Sequence, residues 1–164
     1  MQGCKRIAHI GGFKRTRIFN NRIRGYIDAL KKHNLPLDDE LLIESSLTTE
    51  DGREKMLQLL ALEKRPDAVY VAGDYAALGA LQLLNEKDIK LPQEIALVGF
   101  GNEPFAAMVK PSITSIDQHS AEIGKQAAKV FLEHAKKDTI NQSLNKIILK
   151  AELVIRDSSR LKNN

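Results

Sequence analysis

The chain has 164 residues, 43% hydrophobic and 28% charged, the length of one ordinary domain with enough apolar material for a core. No apolar run approaches the ~20 residues of a membrane span, and no secretory leader pattern opens the chain. The lone Cys4 excludes an internal disulfide framework, so a soluble, cytoplasmic protein is expected. The net charge of +4 is uneven, because seven cations (Lys5, Arg6, Lys14, Arg15, Arg17, Arg22, Arg24) precede the first acid, Asp28. Such a cluster suits nucleic acid, an anionic ligand or an acidic partner, or simply solvent.

Strand-like and helix-like patterns alternate along the chain. Arg6 to Ile10 reads as a strand, and Ile18 to His33 as a helix with Ile18, Arg22, Tyr26 and Leu30 on successive turns. Leu41 to Ser45 is a strand. Thr49 begins a helix whose acids Glu50 and Asp51 suit its positive end. Pro66 closes that segment before a strand over Asp67 to Ala72. Asp74 is placed to cap the helix Tyr75 to Asn85, and Ile95 to Phe100 is a further strand. Ile113 to Ile116 reads as a short strand, Ala121 to Lys136 as a long helix, and Lys146 to Ile155 as an edge strand. This order predicts an α/β fold, a doubly wound parallel sheet with right-handed crossovers.

Three of these strands open directly into glycine-containing loops: Gly11-Gly12, Gly73-Asp74 and Gly99-Phe100-Gly101-Asn102. In open α/β sheets ligands bind at the carboxyl edge of the strands, where such loops converge. Arg22, about a turn into the first helix, can offer its planar guanidinium to hydroxyls or a carboxylate. Leu47, Tyr75 or Phe100 can supply an apolar platform. Catalytic signals are poor. Gly11-Gly12-Phe13-Lys14-Arg15 fits neither phosphate-loop spacing, and His9, His33, His119 and His134 show no metal-ligand pattern. His9, inside a strand, reads as a satisfied core histidine. Neither enzyme activity, a cofactor nor a metal is expected.

With these residues placed, the chain resembles the C-terminal half of the effector domain of the LacI/GalR family of bacterial transcription regulators. The resemblance is carried by Asn21-Arg22-Ile23-Arg24-Gly25-Tyr26, Gly73-Asp74-Tyr75-Ala76-Ala77-Leu78-Gly79-Ala80, Leu91-Pro92-Gln93-Glu94-Ile95-Ala96-Leu97-Val98-Gly99-Phe100 and Pro111-Ser112-Ile113-Thr114-Ser115-Ile116-Asp117-Gln118, in order. It implies a two-lobed, periplasmic-binding-protein-like clamp closing on a small effector, with one lobe complete and the other partial. The implied division puts residues 1–12 (a strand) and 117–145 (a helix) in the partial N-terminal lobe. Residues 13–116 form the C-terminal effector-binding lobe, and 146–164 form its return strand and tail.

The resemblance further implies that Arg22 hydrogen-bonds the effector. Gly73 and Gly101 then fall at polar contact positions, Asp74 and Asn102 serve as contacts or supports, and Gln118 lies at the crossing between lobes. The glycines remove two familiar sugar contacts, while Lys14 and Arg15 add positive charge near the cleft mouth. An effector more acidic than a plain hexose, such as a uronate or a sugar phosphate, follows, unless those cations simply face solvent. A homodimer is implied, with operator DNA bound only through a helix-turn-helix headpiece that has no counterpart among these residues. The alternative on the same fold is a solute-binding transport protein.

Overall fold

Parallel pairing organises the protein around its first strand. A computed structural model describes residues 3–135 and 146–160. Strand β1 (Ile7–Gly11) lies between β2 (Leu42–Glu44) and β3 (Ala68–Val71), and β4 (Ala96–Val98) follows β3, giving the sheet order β2-β1-β3-β4. All three pairings are parallel, with His9 opposite Leu42 on one side and Tyr70 on the other. The chain crosses between strands through α1 (Arg17–Lys32), α2 (Thr49–Leu60) and α3 (Asp74–Glu86). The sheet therefore has the doubly wound architecture that the alternation predicts.

Right-handed crossovers in opposite directions place helices on both faces. On one face, Ala8 and Ile10 of β1, Val69 and Val71 of β3 and Leu97 of β4 pack with Met56 and Leu59 of α2 and Ala76, Ala80 and Leu84 of α3. On the other, α1 buries Ile23, Tyr26 and Leu30, with Tyr26 stacked on His9 at 5.2 Å between ring centroids. Each fully buried Val, Leu, Ile or Met side chain among them contributes ~1.5–3 kcal/mol.

Two glycines set the spacing of α2 and α3. A Cβ on Gly52 would overlap the Ala76 carbonyl oxygen, and one on Gly79 would overlap that of Thr49. The small-residue run of α3 thus serves a helix–helix approach as much as the sheet.

Beyond β4 the chain leaves the main sheet. Thr114 bridges Val98, and β5 (Ser115–Asp117) pairs antiparallel with β6 (Glu152–Val154) in a separate ribbon. Between them lies α4 (Ser120–Ala135), none of whose residues is buried. The chain then comes back to the sheet, where the Leu97 N–H donates to the Ser158 carbonyl at 2.9 Å and the Ser158 hydroxyl donates to the Leu97 carbonyl at 2.6 Å.

Three expectations need correction. The implied division gives residues 1–12 to the other lobe, but β1 is hydrogen-bonded on both flanks by strands of the 13–116 segment and is a central strand of that sheet. The expected edge strand over 146–155 is regular only at Glu152–Val154, and it pairs with β5 rather than with the edge of the main sheet. Asp74 is the first residue of α3 and not its cap. Gly73 takes the N-cap position, and the Asp74 carboxylate turns inward. The loop expected over Asn141–Asn145 lies outside the described residues.

Candidate functional site

The carboxyl ends of β1, β2, β3 and β4 deliver their loops to one edge, and the first helical turns behind that edge carry the polar groups. Arg22 stands there, half-buried. Its Nη1 donates to the Ala72 carbonyl at 2.7 Å, and its guanidinium lies over the Phe100 ring at 3.6 Å. Burial pushes its pKa down, and among the described residues no carboxylate lies within 4.0 Å of it. A cation held by a carbonyl and an aromatic face, with no counter-ion, keeps N–H donors available to an incoming acceptor. The Phe100 ring, one of three candidate platforms for a ligand, faces the Arg22 guanidinium.

The structure brings Leu47 and Gly73 together. Leu47, at φ 63°, is half-buried in the β2–α2 loop, 3.5 Å from where a Gly73 Cβ would stand. That loop is tied down by Asp51, whose Oδ2 accepts from the Ser45 hydroxyl at 2.9 Å, the Ser46 N–H at 2.5 Å and the Ser46 hydroxyl at 2.9 Å. Burial raises the Asp51 pKa, yet these donors, the Ser46 N–H first, bring it below the ordinary range. Sequence reading credits Asp51 only to the helix dipole. The signal for more is Thr48-x-x-Asp51, since the Thr48 hydroxyl accepts from the Asp51 N–H at 3.2 Å, as in a capping box.

Asp74 and Asn102 are supports. The buried Asp74 carboxylate accepts from the Ser115 hydroxyl at 2.7 and 3.0 Å and from the Glu103 N–H at 2.8 Å. Gly99 is required beside it, because a Cβ there would overlap Asp74 Oδ1. Asn102 donates from Nδ2 to Asp117 Oδ2 at 3.1 Å and accepts at Oδ1 from Arg156 Nη2 at 2.6 Å. Gly101, at φ 133°, takes a backbone conformation that side chains rarely adopt. Asp117 is held below the usual carboxylate range, first by the His119 N–H. Gln118 is half-buried beside it at the exit of β5. Ser115 and Arg156, which bind this network together, have no spacing signature in the sequence.

Arg15 is exposed with its guanidinium 5.2 Å from the Phe13 ring centroid, and Lys14 is exposed beside it. His9 is only half satisfied, which corrects the expectation. Nδ1 lies 3.0 Å from the Tyr70 carbonyl, whereas Nε2 is buried without a partner. Burial lowers its pKa to about 4. Among the described residues no group of three His, Cys, Asp or Glu side chains could hold a metal ion.

The loops thus converge on one edge of the sheet beside an arginine that, among the described residues, no carboxylate neutralises. Residues 1–159 match the periplasmic binding protein-like domain family. The chain belongs to that family. It is 34% identical over 157 residues to the HTH-type transcriptional repressor PurR of Mannheimia succiniciproducens, covering 95% of this chain and 46% of the repressor. A regulatory protein of the LacI family from Chloroflexus aggregans matches with a TM-score of 0.87 at 28% identity, over 97% of this chain and 57% of that one. The transcriptional regulator CelR in complex with cellobiose matches with a TM-score of 0.87 at 27% identity, over 96% and 47%. This family member thus spans about half the length of the curated relatives it matches, over the effector-binding part of regulators that are not enzymes.

Proposed function

We propose that the chain senses a small-molecule effector, a sugar or a related acidic or phosphorylated compound, for a LacI-type transcription regulator. The observation that carries this reading is Arg22, pinned on Phe100 and Ala72 at the carboxyl edge of the sheet with no carboxylate to neutralise it. Asp74, Asn102 and Asp117 are engaged with protein donors, so the nearby acceptors are occupied. A ligand that brings its own acceptors fits better than one that only donates. Cellobiose in the CelR complex supports a carbohydrate class, and exposed Lys14 and Arg15 support an acidic one.

In the intact regulator, effector binding closes the lobes and shifts a headpiece's fit to operator DNA in the cytoplasm, a coupling of ~1–3 kcal/mol. Residues 13–116 together with β1 form the effector lobe, and α4 belongs to its partner lobe. Homodimerisation is part of the same proposal. Tyr75, 54% exposed and packed on Phe105 at 5.1 Å, and Met108, 77% exposed, offer an apolar face for it.

Calorimetric titration with hexoses, cellobiose, uronates and hexose phosphates tests the reading. An acidic member of the panel should bind the parent and lose ~10- to 100-fold affinity in Arg22→Ala, the value of a charge-assisted hydrogen bond. Equal binding of neutral sugars by Arg15→Ala and parent, with acidic ones bound by neither, contradicts the acidic effector. Affinities unchanged in Arg22→Ala contradict the site.

A further inference from the structure

The outer face of α1 is charged in a way that its own fold does not explain. Arg17, Arg24 and Lys31 recur every seven residues, close to two helical turns. They form one exposed stripe, turned away from the buried Ile23, Tyr26 and Leu30. Lys14 and Arg15, both exposed, extend it ahead of the helix. Asp28 is the one acid on α1, and among the described residues none of these cations has a carboxylate within 4.0 Å.

Cations in the last turn of a helix offset its negative pole, which accounts for Lys31 and Lys32. The other end has no such account. The first turn of α1 holds no acid, and Arg17 stands there instead, where the helix dipole opposes a cation. Thr16 at the N-cap gives no relief, since its hydroxyl donates to the Phe13 carbonyl at 3.0 Å. A broken local rule without a compensating contact points to function.

Arg17 and Lys31 lie ~21 Å apart along the helix axis, farther than one small effector reaches, so the partner is an extended polyanion. On that face the residues between them are Asn20, Asn21, Arg24 and Asp28, all exposed and polar, while the exposed Ile18 stands about a quarter-turn round from Arg17. A protein partner would need an apolar, often aromatic centre to its interface. Arginine, lysine and asparagine are instead the side chains that contact phosphate oxygens. We infer that the outer face of α1 is a sequence-independent contact surface for the phosphate backbone of a nucleic-acid duplex. It is separate from the Arg22 site and leaves operator recognition to a headpiece.

Fluorescence anisotropy with a labelled DNA duplex of about 20 base pairs, between ~50 and ~200 mM salt, tests this. The parent is expected to bind at the lower salt. Combining Arg17→Gln, Arg24→Gln and Lys31→Gln should weaken binding about tenfold or more and flatten the logarithmic salt slope by about 2 to 3. Glutamine keeps helix propensity, so this variant should melt no lower than the parent, and Arg24→Gln alone should flatten the slope by about 1. Combining Lys64→Gln, Lys87→Gln and Lys90→Gln removes the same charge from exposed positions outside α1 and should leave affinity within about threefold. No duplex binding at the lower salt, full affinity in the α1 variant, or an equal loss in the Lys64 set overturns the inference. Binding of poly-glutamate as tight as that of the duplex overturns it too, in favour of an acidic protein partner.

Discussion

At the residue scale, two buried polar side chains govern the protein in opposite ways. Asp74 is fully partnered by donors 41 and 29 positions away, Ser115 and Glu103. That distance is why the sequence could show an acid after a glycine but not that it turns inward. Asp74→Ala would leave a hydroxyl and an N–H unpaired beside a helix end, a cost of ~2–4 kcal/mol by urea denaturation. His9 is stacked between Tyr26 and Tyr70 with a bare Nε2. Its folded pKa, about 4, lies below the ordinary ~6.5 of an unfolded histidine. The unfolded chain binds the extra proton between these values. The contribution is complete above ~6.5 and is lost as pH falls toward 4, by about 2.5 kcal/mol between pH 7 and 4.5. Urea midpoints across that window should show the slope, and His9→Leu should flatten it. Arg22 was legible for a local reason, since helical periodicity after a glycine loop places it one turn from the sheet edge.

Elements were read well where periodicity runs long and poorly where pairing is distant. Helices α1 to α4 fall within a few residues of the patterns that predict them. The ends of β6 do not, because a strand that pairs only with β5 stays regular for as long as β5 does. The α2–α3 crossing depends on glycine in a way that propensity hides. Gly79→Val should cost more than ~3 kcal/mol or abolish folding, since its side chain meets the Thr49 carbonyl rather than a movable group. Gly25→Ala, in open space on exposed α1, should instead stabilise by ~0.5–1 kcal/mol. Thermal melts of the two variants should move in opposite directions.

For the whole molecule, helices pack on both faces of the sheet, whereas among the described residues none of α4 is buried. Phe131 is 70% exposed and Ile148 75%, and Ile123 and Ile147 lie along the same surface. A face this apolar is covered in a folded assembly, so the isolated chain should self-associate. Sedimentation should show Phe131→Glu with Ile148→Lys shifting it toward monomer, with no fall in melting temperature. The division implied by the resemblance put β1 in the other lobe, because a buried apolar pentapeptide does not say which sheet it joins. Only its pairing to Leu42 and Tyr70 decides that.

The central claim is that a ligand is held at the carboxyl edge of the sheet beneath Arg22. Amide and guanidinium chemical shifts of the labelled chain, followed through titration with glucuronate, a hexose phosphate and cellobiose, test it most directly. The account predicts that shifts cluster at Gly11, Gly12, Leu47, Gly73 and Gly101 and at Arg22 Nε. Shifts confined to α4 and residues 147–149, or none with any of the three, would contradict it.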